Sequence, residues 1–152
     1  MQWRNASPCA CAIVERGGSV LLVHRAHDPW RGMWSAPGGF CVYDEHPIDA
    51  VVRETREETG VAIEVTGFLG IWIDEYADAP APDNDTISVA YYTAIPSGTV
   101  ETTPEAAEVI EARWFAWNEI PAALAPPGTL RAVLDAWHEA GQSSTPLLDR
   151  PT

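Results

Sequence analysis

The strongest constraint on how this chain can fold is one predicted helix, residues 47–59, whose two sides have opposite chemistry. Pro47 suits the first turn of a helix, and Gly60 stands where a left-handed residue commonly ends one. Residues three and four apart are neighbours on a helix, so one face is apolar and should be buried, while another face gathers carboxylates. The two sets are Ile48, Val51, Val52 and Thr55, and Glu54, Glu57 and Glu58.

Carboxylates this close repel one another, by about 1 kcal/mol for a pair at about 4 Å in water and about 4 kcal/mol at an intermediate dielectric. Glu45, just before the helix, can fold back toward the same end. Arg53 and Arg56 could neutralise the cluster as surface ion pairs, or a divalent cation could bind among the oxygens. Without His or Cys in the cluster, that cation should be hard, namely Mg²⁺ or Mn²⁺ as its substitute. The helix charges by themselves leave both explanations open.

The composition indicates one folded domain with an excess of negative charge. The length of 152 residues, with 46% hydrophobic and 20% charged residues, predicts a single domain over 1–152 with a core at about 9–137 and a frayed C-terminal tail. There are 22 acidic residues against nine basic ones, all Arg, for a net charge of −13. Such a charge argues against broad electrostatic binding to nucleic acid or to an anionic membrane. It also raises the question of how an anionic substrate would bind.

Targeting and redox signals are weak in this sequence. The first residues lack the pattern of a signal peptide, and no apolar stretch approaches the roughly 20 residues of a membrane span. The three cysteines Cys9, Cys11 and Cys41 have neither the number for a disulfide framework nor the spacing of a zinc site. We interpret them as small buried residues in a reducing cytosol, which predicts a cytoplasmic protein.

Hydrophobic periodicity around the carboxylate helix predicts a mixed α/β domain. Alternating runs indicate strands, and turn residues separate them. The positions Leu130, Val133, Leu134 and Trp137 fall on one face of a terminal helix that packs on the sheet. Residues 74–85 form an acidic loop, either a solvated hairpin tip or a lid over a pocket. The predicted strands are 9–14 and 20–25 as a hairpin, then, after a loop at 26–37, residues 63–73, 87–95 and 112–117.

The context of the helix adds a specific resemblance. The turn Pro37-Gly38-Gly39 lets the backbone approach a ligand closely. The spacing that follows matches the Nudix box, and the chain resembles the Nudix hydrolase family over about residues 9–137. This resemblance implies an α/β/α sandwich with a mixed sheet, and Mg²⁺-dependent hydrolysis of a nucleoside diphosphate linked to another group. The matching residues are Gly39, Glu45, Arg53, Glu54, Glu57, Glu58, Gly60 and Val61.

Three positions depart from the family pattern. Thr55 occupies a place that is usually aliphatic, Val42 one that is frequently acidic, and Asp44 one that is frequently Gly. None of these changes removes an expected metal ligand.

The resemblance also implies roles for individual residues. Glu57 and Glu58 are the leading metal ligands, Glu54 is a ligand or a proton acceptor, and the Gly39 carbonyl can join the metal shell. Arg53 is expected to act by pairing with Glu45 rather than by touching substrate.

Outside the box, Glu108 is the candidate for a further metal ligand or general base, with Glu105 and Glu111 as competitors. Arg25 is the candidate for phosphate contact, unless it pairs with Asp28.

The aromatic side chains are numerous, and most of them are expected to pack in the core. Trp34, Trp114, Trp117 and Trp137 are the core candidates, whereas Trp30, Trp72 and Tyr76 lie near loops and could stack on a base. His24, His27 and His46 lack a partner at ligand spacing and are interpreted as ordinary polar positions.

The residues 68–70 and the acidic loop after them resemble members that act on ADP-ribose, so ADP-ribose-like compounds are the favoured substrates. The first alternative is pyrophosphohydrolysis of nucleoside triphosphates, including oxidised ones. The second is a Nudix domain that senses nucleotides without hydrolysing them. The expected partners are a small nucleotide and, in a homodimer, a second copy of the chain.

Overall fold

A computed structural model of the protein describes residues 5–76, 86–140 and 145–146. Within these ranges the chain forms nine strands, two α-helices and a short 3-10 helix at Trp117–Glu119. The helices are α1 (Pro47–Thr59) and α2 (Thr129–Glu139). The strands are β1 Ser7–Arg16, β2 Ser19–Arg25, β3 Trp34–Ser35, β4 Gly38–Phe40, β5 Ile63–Glu75, β6 Thr86–Pro96, β7 Val109–Ala116, β8 Leu124–Ala125 and β9 Thr145–Pro146.

The strands form one mixed sheet in the order β8-β3-β2-β1-β6-β5-β9, with β4 also paired to β1 and β7 also paired to β2. The pairs β1–β6 and β3–β8 are parallel, whereas β1–β2, β2–β7 and β5–β6 are antiparallel. Strand β1 therefore lies at the centre, and its first half pairs with β4 through Cys9–Phe40 and Ala10–Gly39. This pairing brings the β4 glycines beside the middle of the sheet.

The two helices cover opposite faces of the sheet, because the side chains of β1 and β2 alternate between two cores. On β1, Ile13 joins the core under α2 and Val14 joins the core under α1. The α2 face Leu130, Val133, Leu134 and Trp137 is buried, with at most 1% of each residue exposed. Burying side chains of this kind contributes about 1.5–3 kcal/mol each. The α/β/α sandwich expected from the resemblance is confirmed.

Helix α1 begins and ends where its sequence predicts. Gly60 has a φ of 78° and its N–H donates to the Arg56 carbonyl, which is the left-handed ending that the sequence indicates. At the other end, the His46 side chain accepts a hydrogen bond from the Ile48 N–H at 3.1 Å and so caps the helix. His46 is thus a polar residue with a structural role, the N-cap of α1.

The strands are longer than the periodicity predicts. Three predicted segments also have a different secondary structure: the loop at 26–37, the end of the strand at 112–117, and part of the C-terminal tail. The predicted loop at residues 26–37 contains β3, because Trp34 and Ser35 pair with both β2 and β8. The strand predicted at 112–117 ends at Ala116, since Trp117 starts the 3-10 helix.

Residues 145–146, in the predicted frayed tail, pair with Gly67 and Phe68 as β9. The acidic loop lies outside the described residues from 77 to 85, as does the rest of the tail. Neither helix in the described ranges combines the length and hydropathy that a membrane span needs.

We expect Gly60→Ala to destabilise the fold more than Gly128→Ala, although both glycines have a φ of 78°. A Cβ at Gly128 meets nothing within 4 Å, so that variant pays only the left-handed strain of about 1–2 kcal/mol. A Cβ at Gly60 would fall on Thr103, and this overlap adds about 1–3 kcal/mol. Urea unfolding of both variants measures the difference, and equal losses would contradict the packing of Thr103 on Gly60.

Candidate functional site

One cavity of about 440 Å³ lies beside α1 and reaches from the centre of the sheet to the end of β5. Glutamates from α1 line it on one side, and side chains from β2, β6 and the loops around them line the others. Of the described lining residues, Arg25 alone carries a positive charge. The lining residues that the sequence singled out are Arg25, Trp30, Gly39, Glu54, Tyr76 and Glu108, together with Glu58.

Strand β4 brings its backbone against the carboxylates of α1, and two glycines make this approach possible. The Gly38 N–H donates a hydrogen bond of 2.7 Å to Glu58 Oε1. A Cβ at Gly39 would lie about 2.9–3.1 Å from the Glu54 carboxyl group, and one at Gly38 would fall on Ala10 and Cys11. Packing therefore requires glycine at position 38, where a Cβ would overlap backbone atoms, whereas a Cβ at position 39 would displace only the Glu54 carboxyl group.

Arg53 joins the carboxylates of α1 to the loop that precedes the helix. Its Nε and Nη2 donate to the two oxygens of Glu45, each at 2.9 Å, and its Nη1 donates to Glu54 Oε1 at 2.9 Å. A weaker contact of 3.4 Å reaches Glu57. The hydrogen bonds from Arg53 lower the pKa of Glu45 to about 2. The pairing of Arg53 with Glu45 that the resemblance implies is present in the structure.

The two cavity glutamates of α1 are energetically costly to ionise. Burial raises the pKa of Glu58 to about 8, and the charges of Glu54 and Glu108 act in the same direction against the Gly38 hydrogen bond. Burial also raises the pKa of Glu54, although the hydrogen bond from Arg53 opposes the shift. Both shifts have the same physical origin, namely carboxylates that leave water and face further negative charge.

The structure separates Glu57 from the other two glutamates of the helix. Its side chain is 52% exposed and does not line the cavity, so the leading metal-ligand candidate lies at the surface. Glu108 lines the cavity, close enough for its charge to raise the pKa of both Glu54 and Glu58. Its competitors face elsewhere, since Glu111 pairs with Arg113 at 2.8 Å and Glu105 does not line the cavity.

The chemistry of these groups fits a hard divalent cation. The donors are carboxylate and carbonyl oxygens, and a cation would offset the burial and the neighbouring negative charges that together raise the pKa of Glu58. In their present rotamers, no three acidic, His or Cys residues of the described ranges are grouped closely enough to hold a metal ion. Part of the reason is local: Arg53 engages Glu54, and Gly38 engages Glu58. Binding a cation would therefore require side chains of this cluster to rotate.

Arg25 is held at the cavity by the loop after β2. Its Nε donates to the Pro29 carbonyl at 2.9 Å, and its guanidinium carbon lies 5.5 Å from the centre of the Trp30 ring. The alternative pairing with Asp28 is not formed, because Asp28 lies 3.8 Å from Arg31 instead. Its other two guanidinium nitrogens have no hydrogen bond to the described residues and so can bind an anion in the cavity.

An aromatic cluster stands on the same wall. The Tyr76 ring makes edge contacts with Trp30 at 5.6 Å and with Phe40 at 5.4 Å between ring centres, and all three rings line the cavity. Trp72, the third candidate for stacking, instead packs edge-on against Tyr91 in the core under α2 and does not line the cavity. The sequence analysis missed Phe40, whose position directly after the Gly-Gly pair is the one available signal.

The remaining residue predictions are partly correct. Trp137 is buried, and Trp34, Trp114 and Trp117 are half-buried and pack against the two cores, so all four pack in or on the core as predicted. The Trp34 ring stacks on His24 with 4.6 Å between centres, so His24 has an aromatic partner. Of the cysteines, only Cys9 is buried, whereas Cys11 and Cys41 are half-buried.

Two of the cysteines have a position that the sequence analysis missed. Cys9 and Cys11 line the cavity, and burial raises the pKa of Cys9 to about 12 and that of Cys11 well above its ordinary value. Both thiols are therefore weak nucleophiles.

Comparison with known proteins agrees with the geometry. The family model of the NUDIX domain matches residues 4–135. An ADP-ribose pyrophosphatase of Methanocaldococcus jannaschii is 32% identical over 109 residues, which is 72% of this chain and 61% of that protein. The chain thus spans less than two thirds of that relative's length.

Solved structures show the same architecture. A NUDIX hydrolase from Nitrosomonas europaea superposes with a TM-score of 0.80 at 22% identity, over 97% of this chain and 98% of the other. An ADP-ribose pyrophosphatase from Streptococcus suis superposes with a TM-score of 0.71 at 25% identity, over 91% and 94%. The glycine pair, the Arg53 network and the glutamates of α1 are thus the Nudix box in three dimensions, and this chain belongs to the NUDIX domain family.

Proposed function

We propose that this protein is a Mg²⁺-dependent hydrolase that cleaves the diphosphate bond of a nucleoside diphosphate linked to another moiety, with ADP-ribose-like compounds favoured. The observation that carries the proposal is one cavity in which Arg25 faces Glu54, Glu58 and Glu108 beside an aromatic cluster. Each group suits one component of the bound substrate. Arg25 suits the phosphate oxygens, the glutamates suit the cation that accompanies them, and the aromatic cluster suits the flat base.

Glu54 and Glu58 are the central metal ligands of this proposal, because both are half-buried, both line the cavity, and both face further negative charge there. Glu108, which lines the same cavity, and Glu57, after rotation of its side chain, would complete the ligand set, and the Gly39 carbonyl would add an oxygen. Bound Mg²⁺ supplies neutralisation of the diphosphate oxygens and lowers the pKa of water, and Mn²⁺ can replace it.

The side chains of the protein bind the phosphate, accept the proton, position the ligands and stack on the base. Arg25 binds a phosphate oxygen with its free guanidinium nitrogens and so offsets part of the negative charge of the protein. Glu108 accepts the proton of the attacking water, with Glu54 as the alternative acceptor. Arg53 holds Glu54 and Glu45 in place and does not need to contact substrate. Tyr76, Trp30 and Phe40 offer ring surfaces for the base, worth about 1–3 kcal/mol for a stacked base.

Two relatives support the choice of ADP-ribose, since the proteins from M. jannaschii and S. suis are ADP-ribose pyrophosphatases. Nucleoside triphosphates, including oxidised ones, are the second substrate class, because the same cavity features suit a triphosphate. A nucleotide-sensing domain that does not hydrolyse is the third candidate. The homodimer and the cytoplasmic location stay predictions.

The substrate prediction is tested with a hydrolysis screen over ADP-ribose, NADH, dinucleoside polyphosphates and nucleoside triphosphates, each with Mg²⁺ and with EDTA. We expect turnover that depends on Mg²⁺ and is fastest with ADP-ribose, because two similar proteins are ADP-ribose pyrophosphatases. Faster turnover of a triphosphate would favour the second class. Binding of these compounds without any cleavage would favour the sensor.

Glu54→Gln and Glu58→Gln should each lower Mg²⁺-dependent kcat/KM by about 100-fold or more, because each removes a charged ligand of the cation. Glu57→Gln is expected to abolish turnover while leaving the fold intact. Glu111→Gln is the matched control, since Glu111 is directed at Arg113, and it should stay within about twofold of wild type. Near-normal activity of Glu54→Gln and Glu58→Gln would contradict the ligand assignment.

The raised pKa of Glu58 predicts that Mg²⁺ binding releases a proton at pH 7. The folded protein without cation holds this proton up to a pH of about 8, whereas the ordinary pKa is 4.5. Its contribution to stability is fully present below about pH 4.5 and is lost as the pH rises through about 8. Calorimetry in buffers of different ionisation enthalpy measures the proton release, which should disappear in Glu58→Gln.

Thermal unfolding with EDTA provides an independent measure of the same titration. Between pH 6 and pH 9 the wild type should lose more stability than Glu58→Gln, since only the wild type carries the buried carboxyl group. Identical pH profiles of the two proteins would contradict the shifted pKa.

A further inference from the structure

One side-chain hydrogen bond ties the end of β5 to the start of α2. The Thr129 hydroxyl donates to Asp74 Oδ1 at 2.8 Å, across 55 positions of the sequence. Asp74 is the next-to-last residue of β5, and Thr129 is the first residue of α2. Neither residue lines the cavity, and neither belongs to the Nudix box.

Each partner of this bond is attached to a part of the cavity wall. Tyr76 follows the end of β5, two positions after Asp74; like Trp72 of that strand it packs against the core under α2, and it lines the cavity. The backbone N–H groups of Thr129 and Leu130 donate to the carbonyl of Pro126 at 3.1 and 3.2 Å, and Pro126 also lines the cavity. The bond therefore links two cavity walls that no backbone pairing joins among the described residues.

Burying part of the Asp74 carboxylate costs more desolvation free energy than a purely structural contact requires. Its second oxygen, Oδ2, is buried and has no hydrogen-bond partner in the described part of the chain. An acidic side chain near the first turn of a helix is favourable, and α2 has no acidic residue of its own there. This attraction offsets part of the desolvation, but an unsatisfied buried oxygen still weakens the fold.

We propose that Asp74 and Thr129 are positioning residues, whose hydrogen bond sets the place of Tyr76 relative to Pro126 and thereby the fit of the base in the cavity. The inference rests on the proposed use of this cavity by a nucleotide. Tyr76 touches both Trp30 and Phe40, so a shift of Tyr76 loosens the whole aromatic cluster. The carboxylates and Arg25 are held by other contacts and keep their places.

The test compares ligands with and without a base. Cleaving ADP-ribose between its two phosphates yields AMP and ribose 5-phosphate, so these products probe the two ends of the cavity separately. Thr129→Val removes the hydroxyl at constant shape and should weaken AMP binding by about 5- to 10-fold, which is less than the full effect of one hydrogen bond to a charged group because the bond acts on the base only through Tyr76. Ribose 5-phosphate binding should stay within about twofold. Calorimetry with Mg²⁺ measures both, without need of turnover.

Hydrolysis gives a second readout. The KM for ADP-ribose should rise by a similar factor in Thr129→Val, with kcat within about twofold of wild type. Thr129→Ser keeps the hydroxyl and should restore AMP affinity. The control Thr99→Val removes an exposed hydroxyl outside the cavity lining and should change nothing. Asp74→Ala should match Thr129→Val, and the double variant should be no worse than either, because both remove the same bond.

The outcomes separate the inference from the proposed function. Unchanged AMP affinity in a folded Thr129→Val, or an equal loss for both ligands, would overturn the positioning role. A wild type that binds AMP but cleaves none of the linked diphosphates would overturn the proposed function and leave the binding comparison valid. Should Thr129→Val fail to unfold cooperatively in urea, Asp74→Ala in the same binding experiment decides the matter.

Discussion

The candidate site depends on the hydrogen bonds of the Arg53 guanidinium group. Carboxylates gathered on one helix repel one another, and the hydrogen bonds from Arg53 to Glu45 and Glu54 offset this repulsion. The same pairing ties the loop after β4 to α1, because Glu45 also accepts from the Val42 N–H. The wall of the cavity and the charge of its ligands are therefore stabilised by one side chain.

The site also depends on the two glycines of β4, which let the backbone of this strand lie close to the glutamates of α1. Strand β4 passes between β1 and the glutamates of α1 so closely that Gly38 donates to Glu58 and a Cβ at Gly39 would meet the Glu54 carboxyl group. Burial of Glu58 follows from this approach, and with it the raised pKa. The net charge of −13 is thus unevenly distributed: three acids line one cavity where a cation can bind them, and a single Arg faces them among the described cavity residues.

Local signals made much of the fold predictable. Helix α1 runs over the residues that Pro47 and Gly60 delimit, because capping and periodicity are encoded within one turn of either end. The buried face of α2 follows from spacing in the same way. The parallel pairing of β1 with β6 was not predictable, since it joins strands about 80 positions apart and depends on the packing of the whole sheet. Strand β3 was missed because two residues are too few for a periodic pattern.

For the site, the sequence by itself determined which chemical groups are present and which of them share a helix face. Helical spacing brings Glu54, Glu57 and Glu58 together, but it cannot say what packs against that face. Only the tertiary structure decided that Glu57 is exposed while Glu58 is enclosed by β4. It likewise decided that Glu108 rather than Glu105 or Glu111 lines the cavity, and that Phe40 rather than Trp72 accompanies Tyr76. The physical reason is common to all of these: burial and proximity arise from contacts between distant segments, which spacing along the chain does not contain.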